Sequence, residues 1–128
     1  MSKFPVIPHG TQVNTIIHNA ELRKSCNGTF FIRMDFRVDG GDYDKRHIWH
    51  SFMLTSHNEF ANEISRDMYN TMMAIIGLAK ADIKTPEKPV DSKSHTVIPE
   101  LIGHQITFIV KHCKHENYRD TNEVNYFK

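Results

Sequence analysis

From residue 29 to residue 38 the chain reads TFFIRMDFRV, and every second position is apolar: Phe30, Ile32, Met34, Phe36 and Val38. A period of two predicts a β-strand with that row on a core. The other face then carries Phe31, Arg33, Asp35 and Arg37. The preceding run, TQVNTIIHNAELRK (11–24), is rich in β-branched residues, and its imperfect alternation predicts a long, bent or bulged strand. Asn27-Gly28 between the two runs is a hairpin signal. After the polar turn DGGDYDKR (39–46), HIWHSFML (47–54) alternates again, with Ile48, Phe52 and Leu54 on one side and His47, Trp49, Ser51 and Met53 on the other.

Beyond residue 55 the period changes. Ser56 and Glu59 form a capping-box pattern. Phe60, Ile64, Met68, Met72, Ile75, Ile76 and Ala79 then recur at helical spacing, predicting a helix over 59–80 with one apolar stripe that frays near Gly77. Met68, Met72 and Met73 read most simply as core packing, although an exposed Met73 could serve a partner surface. Residues 83–96 hold two prolines and read as a loop. A short turn, a strand from Gln105 to Lys114, the polar turn HENYRDTN and a last strand EVNYFK follow. The order β-β-β-α-β-β predicts a mainly β protein, an OB-like five-stranded barrel with one helix between strands three and four, the helix plugging the barrel's bottom. A three-stranded meander with a separate hairpin on a helix gives the same string.

The 128 residues are 39% apolar and 24% charged, which fits a single domain over 1–128 with an extended lead-in at 1–10. A net charge of +1 excludes a strongly basic whole surface but leaves room for a basic face balanced by acids elsewhere. The first ten residues lack the apolar stretch of a signal peptide, and the run MMAII is far short of the roughly 18 residues of a membrane span. Cys26 and Cys113 form no CxxC pair, so both are expected as free thiols in a reducing cytoplasm.

The chain also resembles a family of small phage-encoded proteins, long catalogued as a domain of unknown function, from replication and recombination gene clusters. The resemblance is carried by an ordered set of motifs from residue 8 onward. These are Pro8-His9-Gly10, Glu21-Leu22-Arg23-Lys24, Gly28, Met34-Asp35-Phe36-Arg37-Val38 and Arg46-His47-Ile48-Trp49, then Leu101-Ile102-Gly103-His104-Gln105-Ile106 and Asn122-Glu123-Val124-Asn125-Tyr126-Phe127. It implies an OB-like fold and non-catalytic single-stranded DNA binding in phage DNA replication or recombination, in the host cytoplasm. Phage or host replication and recombination proteins are then expected partners, with room for a homo-oligomer. The chain stops at NYFK, so recruitment through an acidic C-terminal tail is not expected.

Single-strand binders combine cations for phosphates with aromatic faces for bases. Strands two and three would place Phe31, Arg33, Arg37 and Trp49 on one outward face, and the first and last inter-strand loops would add Arg23, Lys24, Lys114, Tyr118 and Arg119. The alternative is an ordinary solvated face, with Trp49 half-buried under a loop and both arginines paired with Asp35 and neighbouring acids. An interaction module that loads or inhibits a replication or recombination enzyme without touching DNA is the second functional reading. No metal or cofactor is expected. His112 and Cys113 in HCKH would point to opposite faces of a strand, as would His47 and His50, and the nine histidines read as surface residues. Asp39, Asp42 and Asp44 could gather Mg²⁺ for phosphodiester cleavage, but Asp and Gly are favoured in such a turn for backbone reasons, and no Glu-x-Lys or His motif completes a nuclease site. Cys26 has no evident activating base.

Overall fold

The computed structural model describes residues 6–24, 29–53, 59–79, 95–117 and 119–128. The elements are β1 (Gln12–Lys24), β2 (Phe30–Val38), β3 (His47–Met53), α1 (Glu59–Ile76), β4 (His95–Val97), a 3-10 turn (Pro99–Leu101), β5 (Gln105–Cys113) and β6 (Thr121–Phe127). They form an antiparallel sheet in the order β3-β2-β1-β5-β6, with β4 as a further partner of β1. The strands and helix fall where the hydrophobic periods put them. The short strand β4 does not: its first two residues lie at the end of the stretch expected as loop, where Leu22 pairs with Thr96 and Arg23 with His95. The last strand also begins two residues earlier than its alternation suggests, because Cys113 pairs with Thr121.

The irregular alternation of β1 has a local cause. Ile17 pairs with Phe36 and Asn19 with Asp35, so His18 is an extra residue, a bulge. Val13, Thr15 and Ile17 point inward before it, and Ala20 and Leu22 after it. The bulge shifts the phase by one and keeps the apolar positions on the core through a bend. It also allows β1 to serve different partners along one edge. β5 pairs with residues 12–16, Gly103 and His104 exchange backbone bonds with Ile17, Ile98 donates to Ala20, and β4 pairs with 21–23. Gly103 sits at φ 94°, a left-handed conformation that glycine adopts without a steric cost.

The inner face is closed by Phe36, Phe52, Phe108 and Phe127 from four strands. Phe36 meets Phe108 edge-on with ring centroids 5.1 Å apart. Phe127 of β6 lies 6.1 Å from Phe52 of β3, so the sheet curls until its two edge strands approach. No backbone ladder joins those edges among the described residues, and the sheet is open rather than a closed barrel. A side chain bridges the gap instead: the Val124 amide donates to His50 Nδ1 at 3.3 Å. The lead-in is held similarly. The Ile7 amide donates to Asn122 Oδ1 and Asn122 Nδ2 donates to the Ile7 carbonyl, both at 2.9 Å, so one side-chain amide imitates a strand partner and Ile7 is fully buried.

The helix packs with a face rotated from the stripe its spacing suggested, the two sharing Met68, Met72 and Ile76. Met72, Met73 and Asn62 are buried, and Met68, Tyr69 and Ile76 pack against the core. Phe60, Ile64 and Ile75 are exposed at 71%, 45% and 43%, and Ala79 is exposed as well. Met73 is buried beside Met72, and Met68 packs against the core, as the core-packing reading of the three has it. Steps of four residues drift by about 40° per step at roughly 100° per residue. The row 60-64-68-72 therefore winds around the helix, while 62, 69, 73 and 76 share one narrow arc. Gly77, at φ 79°, ends the helix where it was expected to end.

Candidate nucleic-acid interface

The outward face of β1, β2 and β3 is fixed by their register. Phe31 lies between Arg23 and Met53, Arg33 between Glu21 and Ser51, and Asp35 between Asn19 and Trp49. Arg37 lies between Ile16 and His47. Phe31, Arg33, Arg37 and Trp49 therefore do share one face. Trp49 is 46% exposed, so about half of its surface faces solvent. Phe31 and Trp49 are offset by four residues along the strands, about 13 Å, so the two rings occupy separate positions on the face and do not face each other as a clamp. Arg33 lies between them at about 7 Å from each level, and Arg37 about 7 Å beyond Trp49.

The charges on this face are not paired as the alternative had them. Asp35 Oδ1 engages His47 Nδ1 at 2.8 Å, and Glu21 takes Arg23 through Nε at 3.0 Å and Asn19 through Nδ2 at 3.0 Å. Both acids are thus occupied by other groups. The Arg33 side chain reaches only the Ser51 hydroxyl, at 3.5 Å, the outer limit of a hydrogen bond, and the Arg37 guanidinium has no hydrogen-bond or ion-pair partner among the described residues. Two guanidinium groups on the exposed side of the sheet are left without a carboxylate.

The loop cations are placed less compactly. Lys24 sits 6.0 Å above the Phe30 ring at the C-terminal end of β1. β5 runs alongside β1 from Ile16 back past Gln12, so Lys114 and Arg119, both exposed, belong to the opposite end of β1 from Arg23 and Lys24. Tyr118 and Cys26 fall outside the described residues. In the turn from Asp39 to Asp44, Asp44 Oδ1 accepts the Gly40 amide at 2.7 Å, and no three metal-ligating side chains converge among the described residues.

Three histidine roles were not foreseen. His47 stacks on Trp49, with centroids 5.6 Å apart and planes 20° from parallel, and His18 meets His47 edge-on at 5.2 Å. His47 was legible in principle, being two residues from Trp49 on the same face. His18 was not, because only the bulge aims its ring across β2. His50 faces inward, with its pKa lowered to about 4 by burial against the weaker pull of Glu123. Its neutral ring, with Nδ1 free to accept, suits the bond from Val124. Cys113 is a free thiol that donates to Glu123 Oε2 at 2.8 Å. Burial and that carboxylate push it up to about 11, which leaves little thiolate for chemistry at neutral pH. No helix among the described residues is long and apolar enough to cross a membrane.

No protein-family model matches this chain, and no curated protein is similar to it. The functional reading therefore rests on the residues of the face itself.

Proposed function

We propose that the protein is an OB-like, non-catalytic single-stranded DNA-binding protein of phage DNA replication or recombination, working in the host cytoplasm. The observation that carries this reading is the exposed Trp49 with Arg33 and Arg37 on the same face, one level to either side of its cross-strand partner Asp35, and no carboxylate among the described residues neutralises either guanidinium. An aromatic face beside unpaired cations is what a sequence-tolerant binder of single strands requires. The OB-like assignment is supported by the strand order and by the approach of β3 to β6 across Phe52, Phe127 and His50.

A module that loads or inhibits a replication or recombination enzyme is the second reading. It is favoured by the exposed Phe60, Ile64 and Ile75 on the outer side of α1. One titration separates the two. Trp49 is the only tryptophan, so oligo-dT should quench the protein's indole emission in a saturable way if bases stack there. Emission unchanged by oligo-dT at low salt would discard the DNA-binding reading in favour of the module.

A further inference from the structure

We infer that His47 is the positioning residue of this face, a ring clamped between Asp35 and His18 that fixes the indole of Trp49 so that its remaining face takes one nucleobase. The inference rests on the single-strand reading above and deepens it. Three contacts converge on the one imidazole. Asp35 Oδ1 holds Nδ1 at 2.8 Å, the ring lies nearly parallel to the indole at 5.6 Å, and the His18 ring abuts it edge-on at 5.2 Å. Each partner comes from a different strand: Asp35 from β2, Trp49 from β3 beside His47 itself, and His18 from the bulge of β1. A bulge adds an unpaired residue and redirects a side chain, and here it carries the His18 ring across β2 to the far strand.

A solvated ion pair does not account for this arrangement. The Asp35 side chain is only 14% exposed although it stands on the outward face, so the carboxylate is covered by the groups it holds. A stacked neighbour restricts the indole before any ligand arrives, which lowers the ordering cost of binding. With His47 against one side of Trp49, a base has the other side available, and Arg37, directly across from His47, lies within reach of the adjoining phosphate.

The sign of one substitution is diagnostic. Asp35 is an acid on a face meant for a polyanion, so if it acts only as a charge, Asp35→Ala should tighten binding. If it positions His47, Asp35→Ala should weaken binding of oligo-dT, and Asp35→Asn, which keeps an acceptor for the ring, should recover it. His47→Ala should cost roughly three- to tenfold in affinity, the size of the effect of holding one side chain in place. His47→Phe, which preserves a stacked ring, should bind nearly as the parent does. Because His47 acts through Trp49, the double variant His47→Ala/Trp49→Ala should bind no more weakly than Trp49→Ala alone. Without DNA, the fluorescence anisotropy of Trp49 should decay faster in His47→Ala than in the parent. Additive losses in the double variant, tighter binding by Asp35→Ala, or an indole equally immobile in His47→Ala would each overturn the inference while oligo-dT binding stands. A parent protein that does not bind oligo-dT removes the functional reading, and the inference with it.

Discussion

A base stacked on Trp49 releases no counterion, whereas a phosphate held by Arg37 displaces one, so the two residues must answer differently to salt. Trp49→Ala should lose about 1–3 kcal/mol of oligo-dT binding at every salt concentration. Arg37→Ala should lose most at low salt and flatten the slope of log K against log salt by about 0.7, the single-strand value for one contact. Fluorescence-anisotropy titrations of labelled oligo-dT over a salt series measure both. Equal salt sensitivity of the two variants would contradict the division of labour. The unpaired state of Arg37 was not legible from spacing, since Asp35 is two residues away and equally near in sequence to Arg33. Only the cross-strand position of His47, which takes the Asp35 carboxylate, decides that both arginines remain available.

The strands were readable because a period of two is a statement about one face, and the sheet buries one face. The helix was harder because its sequence is apolar on two sides. Phe60, Ile64 and Ile75 look as suited to a core as Met72, Met73 and Ile76, and only the curvature of the sheet beneath selects among them. This choice has a measurable consequence. Met73→Ala should destabilise the fold by about 2–5 kcal/mol, as removal of a buried side chain does. Phe60→Ala, at a site 71% exposed, should change stability by no more than about 0.5 kcal/mol. Urea denaturation of the two variants tests the assignment, and the reverse ranking would mean that the helix docks by its other side. The pairing of the three-residue strand β4 with β1 was invisible for a different reason. Its pairing with Leu22 and Arg23 lies more than seventy residues away in sequence, and it has no alternation of its own.

At the scale of the whole molecule, the approach of β3 to β6 depends on a neutral His50. The unfolded chain takes up its proton near pH 6.5, while the folded protein resists until about pH 4, so between those values the unfolded state binds more protons. The contribution is therefore fully present above pH 6.5 and is lost as pH falls through 4. Its size is at most about 3 kcal/mol. Protonation also removes the Nδ1 lone pair that accepts the Val124 amide, so the loss should be felt at the junction of the two edges. Thermal melts between pH 7 and pH 4 should show Tm falling in the parent and a flatter profile in His50→Asn, whose amide oxygen can replace the acceptor without titrating. A parallel decline in both proteins would place the acid sensitivity elsewhere.

The sharing of β1 between partners from both ends of the chain sets an order of events during synthesis. Its first edge is completed early, by β2, the next strand in the chain. Its second edge must wait for β5, because Thr15 bonds to Ile106 across 91 residues. Until β5 is available, β1, β2 and β3 alone would leave the β1 edge at residues 12–17 with unmatched amides and carbonyls, a template for pairing with another chain. Long-range pairing of this kind is also slow to form, which prolongs the exposure. A chain ending at residue 79 should therefore sediment as aggregate under conditions that keep the full chain in solution. A truncated product that stays monomeric by analytical ultracentrifugation would show that the open edge is harmless.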